Sequence, residues 1–226
     1  MRTPILLAWS GGKDSTLALE RLLGDPRWRV AALITTVTSG YERIAIHGVR
    51  RSILRAQVAA LGLQLIEAQI PPQASNEVYE AAFARALQTA RDCDPAIADI
   101  AFGDLYLADV RAYRETLLAR LGWRGVYPLW GENTTTLASY FSERGYGAIL
   151  TCVDTQQLAA EFCGRDYDAV LLADLPPTCD PCGENGEFHT CVHAGPLWPQ
   201  PLKLVRGERV LRDGRFQYVD LTEAAN

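Results

Sequence analysis

Two dense stretches of this chain carry residue types that can do chemistry. The first is Ser10-Gly11-Gly12-Lys13-Asp14-Ser15, which follows the apolar run from Ile5 to Trp9 and leads into Thr16-Leu17-Ala18-Leu19. Glycines let backbone N–H groups turn toward a ligand, a helix N-terminus favours an anion, and a lysine adds a point charge. The stretch therefore has the parts of a phosphate cradle. Ser10 and Ser15 add hydroxyl donors, and Asp14 is a favourable negative charge at the start of a helix. The spacing departs from the Walker pattern, which needs a longer gap before its Gly-Lys pair and a Ser or Thr directly after the lysine. Kinase- or GTPase-like transfer of a terminal phosphate is not implied, and a plain strand-to-helix turn is the competing reading.

The second stretch runs from Cys179 through Cys182, Gly183-Glu184-Asn185-Gly186-Glu187-Phe188-His189-Thr190 and Cys191 to His193. Cys179 and Cys182 have the gap favoured in zinc sites, and His189, Cys191 or His193 could complete a tetrahedral set. A structural zinc site usually takes its second pair from farther along the chain. The same thiols also suit small buried residues in a reducing compartment, or a redox pair. Glu184 and Glu187 are acids placed among glycines, suited to proton transfer or to holding a cation, and equally to satisfying loop N–H groups.

Apolar β-like runs alternate with helical periodicity along the chain, the pattern of an α/β fold with a parallel sheet and helices on both faces. After the first loop a helix stops at Gly24-Asp25-Pro26, and Val30 to Thr36 reads as a buried strand ending in Thr35 and Thr36. Val49, Ile53, Leu54, Val58 and Leu61 recur at helical spacing, and Leu63 to Ile70 is a strand. Ser75 or Asn76 caps a helix with Val78, Ala82, Phe83, Ala86, Leu87 and Ala90 on one face. Ile97 to Asp104 is a fourth strand, and Asp109 is the expected cap of a helix that turns Val110, Tyr113, Leu117, Leu118 and Leu121 inward. Arg111 and Arg114 share a face of that helix. A helix from Asn133 or Thr134, a buried strand from Gly147 to Asp154 and a short helix to about Gly164 follow. Lys203 to Asp220 reads as a small β meander that either covers a substrate lobe or contacts a second copy in a homodimer. The expected division is a nucleotide-binding domain over 1–125 and a smaller α+β lobe over 126–226.

The 226 residues, 48% of them hydrophobic, suffice for one sizeable core with a small appended lobe. A net charge of −5 and a pI near 5.3 argue against a broad footprint for nucleic acid. No membrane-spanning run is visible, and the first apolar run is too short for a signal peptide core, so a cytoplasmic location is the expectation.

The Ser10–Ser15 loop at the end of the first strand resembles the PP-loop of the N-type ATP pyrophosphatases, which split ATP into AMP and pyrophosphate. Gly183 to Thr190 resembles the G-E-G/N-G-E-F/Y-x-T signature of the diphthine-ammonia ligase family and its bacterial relatives. His47-Gly48-Val49-Arg50 agrees with the same family, as does Phe102-Gly103-Asp104 followed by Arg111, Arg114, Leu121-Gly122 and Pro128-Leu129-Trp130. The matches extend from about Leu6 to Trp198; Cys182 fits the family's cysteine, whereas Cys179 and Cys191 lie outside its pattern.

The resemblance implies a HUP-like, adenine nucleotide alpha hydrolase-like fold and ATP-dependent amidation. A substrate carboxylate attacks the α-phosphorus, pyrophosphate leaves, and ammonia displaces AMP from the acyl adenylate. It implies ATP and magnesium as cofactors, with Ser10, Gly11, Gly12, Lys13, Asp14, Ser15, Thr35 and Thr36 on the nucleotide and Asp14 on the metal. Lys13, Glu184 and Glu187 become catalytic candidates, and His47, Gly103, Asp104, Arg111, Arg114, Asn185 and His189 become substrate-binding candidates. The carboxylate is small or protein-borne, diphthine being the family's instance. Two other classes compete: a PP-loop tRNA sulfur transferase using Cys179 and Cys182, and a non-catalytic module that binds ATP or AMP.

Overall fold

The structure, a computed structural model, describes residues 2–40, 43–44 and 48–224, so His47 lies outside the described residues. Five parallel strands run in the order β4-β2-β1-β5-β6: β1 Thr3–Ala8, β2 Trp28–Thr38, β4 Leu65–Ile70, β5 Asp99–Ala101 and β6 Arg124–Val126. The short β3, Arg43–Ile44, pairs antiparallel with the far end of β2. Strand order reverses between β1 and β5, so loops leaving those two strands open a crevice where α/β sheets bind ligands. The loop after β1 is Ser10–Ser15, and the loop after β5 begins at Phe102-Gly103.

The continuous apolar runs follow from burial on both faces, because successive strand side chains alternate between faces. Ile5, Leu7, Leu33 and Ala101 pack with Leu17 and Leu19 of α1 (Lys13–Gly24) and with Ile53, Leu54 and Val58 of α2 (Arg51–Ala60). Leu6, Ala32, Ile34 and Ile100 pack on the other face with Phe83 and Leu87 of α3 (Asn76–Cys93) and with Leu117 and Leu118 of α4 (Ala108–Arg120). Each such fully buried leucine or isoleucine contributes about 1.5–3 kcal/mol relative to exposure.

A second sheet is antiparallel, in the order β8-β7-β10-β9, from β7 Gly147–Asp154, β8 Phe188–Ala194, β9 Leu204–Arg212 and β10 Phe216–Glu223. The expected meander is thus half of this sheet, with β9 at its edge. α5 (Thr134–Glu143) joins the sheets, and its Leu137, Ala138 and Phe141 share one apolar cluster with Ile5, Leu17, Leu150 and Phe188. Among the described residues no helix is long and apolar enough to cross a membrane.

Ser75 and Asn133 cap their helices, accepting from Val78 N at 3.4 Å and Thr136 N at 2.9 Å. Several sequence expectations are corrected. Leu107, not Asp109, precedes α4 as its cap, and Asp109 supplies a negative charge in the first turn. Tyr113 is 40% exposed, its hydroxyl donating to Glu80, and Val78 is 41% exposed. β2 continues past Thr36 to Thr38 because β4 pairs with it through that residue. The helix expected before Gly164 is a single 3-10 turn at Ala160–Phe162, and α6, Ala169–Asp174, follows it under an Asp168 cap.

Asp220 of β10 ties the sheets together. Arg50 donates to it from Nε at 2.9 Å and Nη2 at 2.6 Å, and Arg43 donates from Nη2 at 2.9 Å. The Arg50 bonds outweigh partial burial and, with Arg43, hold the carboxyl down at about 2. The unfolded value is roughly 3.9. The interaction therefore stabilises the fold above that pH and is lost as pH falls toward the folded value. Asp220→Asn should lower stability at neutral pH by of order 1 kcal/mol after solvent screening. It should also flatten the acid limb below about pH 4, which urea melts across pH will measure; an acid limb as steep as that of the wild type would contradict the assignment.

Candidate functional site

The phosphate-type loop is shaped by two glycines with different duties. Gly11 has φ +76°, and a Cβ there would lie 2.4 Å from Gln57 Oε1, so both backbone and space require glycine. Gly12 caps α1 without a side chain, and two N–H groups at the helix start find partners elsewhere. Lys13 N donates to Thr190 Oγ1 of β8 at 3.1 Å, and Gly12 N donates to Ser10 Oγ at 3.3 Å. Ser15 Oγ donates to Gly12 O at 2.9 Å and lies 3.2 Å from Ser10 Oγ. Trp9 N donates to Ile34 O at 2.8 Å, so Thr35 and Thr36 lie just beyond the level at which the chain enters the loop. Thr35 is buried.

Lys13 is buried, with its ammonium 2.7 and 2.8 Å from the two oxygens of Asp14. The same nitrogen lies 5.9 Å from the ring centre of Tyr167 and 5.8 Å from that of Phe188. Burial works against the charge, but the Asp14 carboxylate outweighs it, and the lysine pKa lies above its ordinary value. Lys13 is a fixed cation through neutral pH.

The loop after β5 closes onto the first from the side. A Cβ on Gly103 would stand 2.9 Å from Asp14 C and 3.0 Å from Asp14 O, so Gly103 permits this close approach. Asp104 accepts from Arg114 Nε at 2.7 Å, and the Arg114 guanidinium stacks over Phe102 at 4.4 Å. Arg111 donates instead to Glu115 at 2.7 Å and lies between the rings of Tyr127 at 4.5 Å and Trp130 at 4.6 Å. Both arginines are held by carboxylates of this chain and backed by aromatic rings.

The acidic loop reaches the crevice from the second sheet. Glu184 Oε1 accepts from Leu105 N at 2.8 Å and Tyr106 N at 3.3 Å, fastening this loop to the one after β5. Burial raises the Glu184 pKa, the two amides oppose that, and its charge bears on Lys13. Glu187 is buried: its Oε1 accepts from Asp180 N at 2.9 Å and Asn185 Nδ2 at 3.0 Å, while its Oε2 has no hydrogen-bond partner. Asp180 Oδ1 accepts from Cys182 N at 2.8 Å, which turns the loop, and Tyr106 OH donates to Asn185 Oδ1 at 3.1 Å. Asp154, paired with Arg215, holds Gln157 at 2.8 Å, and Gln157 reaches Asn185 O. His189 follows in β8, but Thr190 and Val192 are the strand residues that bond the phosphate-type loop.

Cys179, Cys182 and Cys191 are free and buried, and burial pushes each thiol up to about 12. Among the described residues no group of three or more His, Cys, Asp or Glu is arranged to hold a metal ion. The structure also gives site contacts to Thr190 and Phe188, which the acidic motif contains without an assigned role, and brings in Tyr167 and Gln57, which the sequence expectations lack. Gln57 had a readable signal, since it is a polar residue between Leu54 and Val58 on the apolar stripe of α2 and is fully buried.

Two outcomes follow from this packing. Gly103→Ala should cost about 1–3 kcal/mol by overpacking and weaken ATP binding by displacing the start of α1, as read by thermal melts and calorimetry; unchanged affinity would remove Gly103 from the site. Iodoacetamide at neutral pH should label the exposed Cys93 first, one equivalent per native chain, and all six thiols only in denaturant. Rapid native labelling of Cys182 would restore the sulfur-transfer alternative.

Comparison with known families adds an independent finding. The family model described as the diphthamide synthase N-terminal domain matches residues 1–125, and that described as the diphthamide synthase C-terminal domain matches residues 133–224. No curated protein matches the chain. Two consecutive domains of one family thus account for both sheets and both site loops, and the chain belongs to the diphthamide synthase, or diphthine-ammonia ligase, family.

Proposed function

We propose that this protein is an ATP-dependent amide ligase that activates a carboxylate as an acyl adenylate and transfers the acyl group to ammonia. The observation that carries the reading is the meeting of a buried lysine in a glycine-rich loop with an acidic loop some 170 residues later, in the crevice between β1 and β5. Family membership supports an ATP-dependent ligase.

On this reading the pyrophosphate end of ATP lies against Ser10–Ser15, with Lys13 as the fixed cation and Thr35 and Thr36 facing the adenosine end. A carboxylate oxygen of the substrate attacks the α-phosphorus, the bond to the bridging oxygen breaks, and pyrophosphate leaves. The nitrogen of ammonia then attacks the acyl carbon, the bond to AMP breaks, and a carboxylate takes the proton shed by nitrogen. Glu184, with its raised pKa, and the unpartnered Oε2 of Glu187 are the residues suited to that proton or to an incoming ammonium ion. Gly103, Asp104, Arg111, Arg114, Asn185 and His189 form the substrate side. The two arginines would exchange their internal carboxylates for one on the substrate, which is small or protein-borne, diphthine being the family's instance.

Magnesium fits this donor set. Asp14, Asp180 and Glu184 give the crevice more negative than positive charge around Lys13, and a polyphosphate entering it calls for a further cation. Magnesium is commonly held by one or two carboxylates plus phosphate oxygens, and Asp14 is the carboxylate that would hold it. When bound, it would neutralise charge on the phosphates.

Pyrophosphate release, measured with ATP, magnesium, ammonium and a panel of carboxylates, tests the reading. Lys13→Ala should lower turnover by about 10²–10³, and Glu187→Gln should lower amide formation. Full turnover by Lys13→Ala would refute the phosphate site, and ATP binding without pyrophosphate release across the panel would favour a sensing module.

A further inference from the structure

We propose that Gln57, which lies outside both motifs, is the positioning residue that fixes the conformation of the phosphate-gripping loop. The proposal rests on the reading of Ser10–Ser15 as the pyrophosphate site. Gln57 is fully buried in α2. Its Nε2 donates to Gly11 O at 3.0 Å and to Val192 O at 2.6 Å, and its Oε1 accepts from Trp9 Nε1 at 3.3 Å. One carboxamide thus holds the residue before the loop, the first glycine of the loop, and the strand beneath it.

The chemistry of these neighbours selects the side chain. Two carbonyl oxygens need two donors, and an indole N–H needs an acceptor. A primary carboxamide supplies all three without a charge, whereas a carboxylate cannot donate and an ammonium cannot accept. Fit runs in both directions, since a side chain on Gly11 would collide with Gln57 Oε1. The carbonyl of Gly11 also accepts from Val192 N at 2.9 Å, so its peptide plane is held from two sides. With that plane fixed, the turn through Gly12 and the start of α1 with Lys13 are set before a ligand arrives, and binding does not have to order them. Gln57 acts through the Gly11 backbone, at the pyrophosphate end of the nucleotide and not at the adenosine end.

The test is calorimetric titration of the full chain with pyrophosphate, ATP and AMP, comparing wild type with Gln57→Met, Gln57→Glu and, as a destabilised control whose bonds go to Arg43 and Arg50 and not to the loop, Asp220→Asn. The expected result is about tenfold weaker binding of pyrophosphate and ATP by both Gln57 variants, with AMP affinity within about twofold of wild type. The Asp220→Asn control should keep the wild-type ratio of pyrophosphate to AMP affinity, because loss of stability alone does not separate the ligands. Equal losses for all three ligands, or no loss, in folded variants would overturn the proposal. The wild type supplies a measurement that needs no variant: pyrophosphate, but not adenosine, should shift the side-chain amide resonances of Gln57. Unshifted resonances in the presence of bound pyrophosphate would overturn the proposal too. Failure of the wild type to bind either pyrophosphate or ATP would instead refute the loop assignment, and the role of Gln57 with it.

Discussion

The backbone of the loop from Gly11 to Lys13 is hydrogen-bonded across to β8, and the rest of the site depends on that seam. Val192 N donates to Gly11 O at 2.9 Å, and Lys13 N donates to Thr190 Oγ1 at 3.1 Å. A helix start normally leaves its first N–H groups without partners. Here the Lys13 N–H is satisfied by a residue from the other sheet, which lowers the cost of burying the loop. The arrangement also fixes where Lys13, Ser10 and Ser15 stand relative to β8 before any ligand arrives.

Burying a lysine is costly unless its charge is paired. Asp14 supplies the pairing, and the rings of Tyr167 and Phe188 supply weaker attraction while excluding water. The site therefore keeps its cation charged in an environment of low polarity, where its field acts over longer distances than in water. Glu184 and Asp180 close the circuit from the opposite loop. The charge balance is acidic before any ligand arrives, so a polyphosphate entering the crevice would call for a further cation.

Much of the fold was legible because it rests on local rules. Apolar runs such as Ile5 to Trp9 and Gly147 to Asp154 identified strands buried on both sides. The glycines and lysine of residues 10–15 announced their loop, and Ser75 and Asn133 announced their caps. What escaped was set by distant partners. Asp109 looked like a cap by type, but the chain enters α4 from Leu107 with Leu105 and Tyr106 already pinned by Glu184. Tyr113 fits the apolar spacing of α4, yet its hydroxyl is drawn outward to Glu80. Gln57 and Thr190 owe their places to polar atoms roughly 46 and 177 residues away in sequence, at Gly11 and Lys13. No window of sequence contains both partners of either bond.

The apolar cluster that runs unbroken from Ile5 and Leu17 through Phe141 to Leu150 and Phe188 has a further meaning. Two family models divide the chain, but this one cluster takes side chains from both parts. The half with the second sheet shares its interior with the first, whereas the first sheet keeps another interior of its own against α3 and α4. On the shared face, a side chain of one half can change size only as far as the other half repacks around it.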